Sequence, residues 1–334
     1  MGNMRTAFVI SALAAAAAQV QAQDLNKTIV GCADVECPAS STSSVNDKCT
    51  VADTDSFIYV GLTRVPTDND ALSGLSWSKG FKVGSYNNNR DYESTFYLGT
   101  PPDLQLNNST GACAVFLHGA SKNLAFPGDN DETAQGTCTD AMGSSCVDAL
   151  VSRATTLVNG YNSGSERLSV SEACSRLQKD LEDSKDEACA RISQGSWSNF
   201  TSAALTGTNA SQPIGQQQNS SSNCWPVIPK QNDLTLVSQY NYTGDDTIKE
   251  LERAVWAITP IITVFYSAGN GSLVTETEAS MSCLKVVGPP RASLATMTDG
   301  SGDTDGSGAV GLSSSQSVLS VALFAAVAAF FVGI

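Results

Sequence analysis

The sequence predicts an α+β fold, β-rich and disulfide-stapled, with two to three amphipathic helices. Three observations carry this. Short β-branched and aromatic runs alternate with turn clusters in the first half, apolar residues recur at three and four in the second, and the chain holds ten cysteines, an even number.

The elements follow in order. Residues 57–62, 81–83, 94–98 and 113–117 read as strands, separated by turn-rich stretches at 66–70, 87–89 and 101–103. Over 145–158, Cys146, Leu150, Ala154, Leu157 and Val158 mark one helical face, which ends before Asn159-Gly160. Ser169 and Glu172 form a capping box, and Cys174, Leu177, Leu181, Ala188 and Ile192 continue a second helix to about 192. On a continuous helix Cys174 and Cys189 lie about 22 Å apart along the axis, so each must bond elsewhere. Residues 196–223, rich in Ser, Thr, Asn and Gln, read as a long glycosylated loop. Residues 234–238 resume a strand. Thr247 and Glu250 form another capping box, opening a helix stopped by Pro260. Residues 261–266 and 273–287 flank Ala268-Gly269-Asn270-Gly271, a hairpin signal.

The two ends predict processing. Residues 1–22 read as a signal peptide: a short basic start with Arg5, an alanine-rich apolar run, and small residues before Gln23. Residues 23–290 form the disulfide-rich, glycosylated ectodomain, and 291–307 a flexible acidic Ser/Gly stalk. Residues 308–334 read as the propeptide of a glycosylphosphatidylinositol (GPI) anchor, with attachment at Ser307 or Gly306, because the apolar tail carries no basic stop.

A formal net charge of −14 disfavours nucleic acid as a partner. The cysteines Cys32, Cys37, Cys49, Cys113, Cys138, Cys146, Cys174, Cys189, Cys224 and Cys283 imply about five disulfides in an oxidising compartment, with connectivity left open. One histidine and no Cys-x-x-Cys pair argue against zinc. Asn-x-Ser/Thr sequons at Asn26, Asn107, Asn108, Asn199, Asn209, Asn219, Asn241 and Asn270 predict a glycosylated surface.

Each candidate for chemistry has a plainer reading. His118, the only histidine, would have to serve any triad, yet no Gly-x-Ser-x-Gly elbow supplies a nucleophile, so it reads as a locally bonded strand-end residue. Asp299, Asp303 and Asp305 fail the calcium-loop pattern, since the glutamate position falls on Leu312. Asp129, Asp131 and Glu132 read as a solvated loop, and the acids of 182–187 as the outer face of the second helix. Trp77 and Trp197 are the better candidates for stacking on sugar rings, with Trp225 and Trp256 behind them and core packing the competing role. No catalytic residue, cofactor motif or metal set is assigned.

Four segments carry a resemblance: Tyr97-Leu98-Gly99-Thr100-Pro101-Pro102-Asp103, Cys113-Ala114-Val115-Phe116, Gly136-Thr137-Cys138 and Cys146-Val147-Asp148-Ala149-Leu150. With the two ends, the chain resembles the GPI-anchored surface glycoproteins of filamentous fungi, a family of unknown function. The resemblance transfers no activity. The sequence leads to a surface glycoprotein with a structural or binding role at the plasma membrane or cell wall. Its partners would be the outer leaflet, through the lipid, and wall polysaccharide. The enzymatic alternative is a wall-remodelling glycosidase or transglycosidase using paired carboxylates.

Overall fold

The computed structural model describes residues 25, 28–31, 35, 49–52, 55–86, 89–128, 130–162, 168–214 and 222–288, all within one compact unit, Met1–Met297. The expected signal peptide, stalk and anchor signal lie outside the described residues. So do Cys32, Cys37, Asn26, Asn219, Asp129, Asp299, Asp303, Asp305, Gly306 and Ser307.

A five-stranded antiparallel sheet is built from β3 (Tyr59–Arg64), β4 (Ser76–Tyr86), β5 (Asn89–Thr100), β9 (Asp233–Asp245) and β8 (Pro213–Ile214), in that order. A four-stranded antiparallel sheet runs β11 (Glu278–Leu284), β10 (Thr259–Ser267), β6 (Thr110–Leu117) and β7 (Phe200–Ala204). The hairpin of β1 (Cys49–Val51) and β2 (Asp55–Phe57) forms a separate two-stranded sheet. The helices are α1 (Cys138–Met142), α2 (Ser144–Asn162), α3 (Val170–Glu182), α4 (Ala190–Ser193) and α5 (Ile248–Val255). Among the described residues no helix is long and apolar enough to cross a membrane.

Strand periodicity sets the layers. Side chains alternate along β6, so Ala112, Ala114 and Phe116 share one face while Cys113, Val115 and Leu117 share the other. Phe116 meets Trp77 of β4 and Phe96 of β5, with ring centroids 5.5 and 4.9 Å away. Cys113 bonds Cys174 of α3. The four-stranded sheet is thus the middle layer, with the five-stranded sheet on one face and α1 to α3 on the other. Both faces are covered, which is why all eight residues of β6 are buried. A backbone bond from Val287 N to Val60 O, 3.0 Å, ties the chain after β11 to the edge strand β3. The approach is so close that a Cβ on Gly61 would stand 1.9 Å from the Lys285 carbonyl oxygen, and only glycine fits.

Among the described residues four disulfides staple these layers: Cys113 to Cys174, Cys138 to Cys283, Cys146 to Cys189 and Cys49 to Cys224. Three of them hold the helical layer together or onto the middle sheet. The fourth clamps the β1–β2 hairpin and the segment near Trp225 over the outer face of the five-stranded sheet.

Several sequence expectations need correction. The helix beginning at Ser169 ends at Glu182, and the chain turns before α4; Cys189, disulfide-bonded to Cys146, and Asp186, paired with Arg153 of α2 at 2.6 Å, hold it in its new course. The acids of 182–187 are therefore not one solvated helix face, and Glu182 accepts from the Phe200 amide. Helix α2 runs past Asn159-Gly160 to Asn162 because Tyr161 is buried and donates to Asp180 of α3 at 2.6 Å. The polar stretch 196–223 contains two strands, β7 and β8. Residues 268–277 form one loop between β10 and β11, so the expected strand does not begin at 273. At α5, Thr247 accepts from the Glu250 amide at 3.2 Å, but the Glu250 carboxylate turns to Arg253 instead of completing the box.

Candidate functional site

The tryptophans settle into the core. Trp77 is fully buried and donates from Nε1 to Thr263 Oγ1 at 3.0 Å; Trp197, Trp225 and Trp256 are buried as well. None presents a ring to solvent, so the sugar-stacking expectation for Trp77 and Trp197 does not hold. The acidic loop at Asp131 and Glu132 offers its backbone carbonyls, not its carboxylates, to the buried ammonium of Lys285. Among the described residues no group of three His, Cys, Asp or Glu side chains gathers as a metal site. Two carboxylates do share a groove. Asp91 and Glu93 lie on the outer face of β5 beside Lys82, Asn241 and Thr243. Both are engaged, Asp91 by the Thr243 hydroxyl at 2.7 Å and Glu93 by Lys82 at 2.8 Å. Tyr242, whose ring packs on Tyr92, is the one aromatic residue among the groove's lining residues.

Chemistry gathers instead where the two sheets meet the C-terminal end of α5. A cavity of about 200 Å³ is lined by Lys79, Ser94, His118, Asn199, Tyr240, Tyr242, Arg253, Ala254, Ala257 and Thr259. His118 follows the last residue of β6 and lies in a stack of rings. Tyr240 of β9 is 3.9 Å away at 6° between planes, and Phe116 lies 5.9 Å away at 3°. Its Nε2 is 3.0 Å from Thr201 Oγ1 on β7, so its partner comes from the neighbouring strand and not from a local turn. Burial, then the nearby Lys79 charge, push its pKa down to about 3, and the imidazole is neutral at physiological pH.

Lys79 is the residue the sequence did not single out. It is 1 % exposed, and its Nζ donates to the Ala257 carbonyl at 2.8 Å and to Thr259 Oγ1 at 3.4 Å. A cation at the end of α5 meets the negative end of the helix dipole. Burial, then repulsion from Lys285, lower its pKa to about 7. The available signal was register: Lys79 lies between Trp77 and Phe81 on the inward face of β4.

The shift has a stability consequence. Between about pH 7 and the ordinary lysine range the unfolded chain binds a proton that the folded chain does not, so this group's contribution to stability rises with pH and is lowest below pH 7. Lys79→Met removes that titration. Its stability relative to wild type is expected to fall by up to about 1.4 kcal/mol per pH unit above pH 7, read from urea midpoints between pH 6 and 10. Parallel profiles for the two proteins would refute the assignment.

A larger groove, about 610 Å³, lies at the far end of the sheets. Leu98, Val237 and Ala204 contribute its apolar surface. Gln105, Asn107, Asn108, Thr206, Ser211 and Gln212 supply amides and hydroxyls, and Asp233 is its one charge. The six sequon asparagines that are described, Asn107, Asn108, Asn199, Asn209, Asn241 and Asn270, are all exposed. Two line the larger groove, and Asn199, in the left-handed region at φ 54°, lines the smaller cavity. No family model, no curated protein and no solved structure matches the chain.

Proposed function

We propose that this chain is a non-catalytic surface glycoprotein with a structural or binding role on the outer face of the plasma membrane or in the cell wall, held by a GPI anchor added at Ser307 or Gly306. The exposure of all six described sequon asparagines is the observation that carries this reading. These asparagines, placed at five separate loops and strand edges, all reach solvent, as glycan attachment requires. Four buried disulfides support an oxidising compartment. The groove at Leu98 and Asp233, rich in amides and hydroxyls and nearly free of charge, suits a neutral polysaccharide better than a charged polymer.

The test is expression in secretory eukaryotic cells, followed by phosphatidylinositol-specific phospholipase on intact cells and by peptide-N-glycosidase on the released protein. Release into the medium and a stepwise loss of mass are expected. Retention on cells that shed known GPI proteins, or unchanged mass, would sink the reading. Thr201 sharpens it, because its hydroxyl completes the Asn199 sequon and also meets His118. Asn199→Gln is expected to remove one glycan and, because glutamine fits the left-handed backbone less well than asparagine, to lose about 1 kcal/mol while leaving His118 bonded. Thr201→Ala should remove the glycan and also cost about 1 to 3 kcal/mol by stranding a buried imidazole nitrogen, and Thr201→Ser should spare both.

A further inference from the structure

We propose that the cavity between Lys79, Tyr240 and Arg253 binds a small organic monocarboxylate. The argument begins with charge. The chain has 33 acidic residues against 19 basic ones, yet the cavity is lined by a lysine, an arginine and a neutral histidine, with no carboxylate among its lining residues. Lys79 is buried there with two neutral acceptors and no acidic partner, which leaves one of its three donors over. A buried ammonium without a counter-ion is costly. An incoming carboxylate supplies the missing charge and the missing acceptor together.

The remaining lining defines the rest of the ligand. Arg253, exposed at the mouth, is paired with Glu250 by one nitrogen and has other donors for a carboxylate oxygen. Ser94, Tyr240, Tyr242 and Thr259 offer hydroxyls, and burial raises the pKa values of both tyrosines, so they remain protonated donors. The face of Ala254 and the ring of Tyr240 provide apolar contact for a short carbon body. At about 200 Å³ the cavity is smaller than the roughly 300 to 1,000 Å³ that drug-sized ligands occupy. It therefore fits a small acid and excludes an oligosaccharide. The site does not depend on the surface-glycoprotein reading and stands or falls without it.

The purified full-length protein would be titrated with sodium acetate, propanoate and benzoate, followed by calorimetry and thermal shift at pH 6 and pH 9, at constant ionic strength. Acetamide and benzamide serve as neutral controls. His118, Arg253 and Lys285 face Lys79, Glu250 pairs with Arg253, and Asp131 and Glu132 lie beyond Lys285. Across this pH window, of the groups nearest the site, Lys79 and Lys285 change charge, with pKa values lowered to about 7 and about 8, chiefly by burial. Saturable binding of at least one carboxylate is expected, at least tenfold tighter at pH 6 than at pH 9, with no saturable binding of the amides. Lys79→Met should weaken it tenfold or more. Arg253→Gln, at an exposed position where folding is not at stake, should weaken it about threefold to tenfold. Equal binding of acid and amide, equal affinity at the two pH values, full affinity in both variants, or no saturation by 50 mM of any carboxylate would overturn the proposal.

Discussion

Replacing Cys113 and Cys174 together by alanine is expected to cost about 4 kcal/mol of stability, the loop-closure value for residues 61 apart. The bridge joins the centre of the middle sheet to the inner face of α3, where Ala173, Leu177 and Leu181 are buried against it. Without the bridge α3 retains its cap at Ser169 and its apolar stripe, so the native layer is expected to form but to unfold at lower denaturant. Urea midpoints of the wild type and the double variant, with the other bridges intact, give the comparison. A loss below about 1 kcal/mol would mean that packing alone holds the helical layer to the sheet.

Trp77→Ala should be comparably damaging, at about 3 to 5 kcal/mol. The ring is fully buried between the sheets, edge-on to Phe116, and its Nε1 satisfies the Thr263 hydroxyl in the opposing layer. Truncation opens a cavity and strands that hydroxyl. Trp77→Phe fills most of the space and should lose about half as much. Because the ring never reaches solvent, polysaccharide binding per folded molecule should be unchanged in both variants, measured on folded fractions after size-exclusion chromatography. A selective loss of binding with normal thermal stability would restore Trp77 as a ligand contact.

What the sequence made legible was local. Ser169 and Glu172 announced α3, and both halves of that capping box are present, the carboxylate accepting from the Ser169 amide at 2.9 Å. The apolar stripe of Cys146, Leu150, Ala154 and Val158 likewise marked the buried face of α2. What escaped was set by distant partners. Strand β7 looked like loop because only Phe200 among its five residues is buried; the rest are half-covered at a sheet edge. Strand β9 was read as 234–238, yet it runs to Asp245, with Tyr240 and Tyr242 inward and Asn241 and Thr243 outward. The alternation continues past residue 238 as Tyr240, Asn241, Tyr242 and Thr243, with the polar residues on the outer side. Cavity residues were harder still. Lys79, Tyr240 and Arg253 come from three elements brought together only by sheet pairing and the seating of α5, and a lysine in a strand ordinarily signals a solvent face.

The disulfide connectivity bears on what a protease can do to the chain. The Cys49–Cys224 bridge spans 175 positions and the Cys138–Cys283 bridge spans 145, and the two loops overlap. Any single backbone cut between 49 and 283 therefore falls inside at least one covalent ring. A protease that nicks a surface loop detaches nothing; the fragments stay joined until a reductant arrives. Cleavage after Cys283 escapes every one of these four rings. Under the proposed GPI anchor such a cut would free the disulfide-held body in one piece, so shedding and internal damage would be chemically separate events.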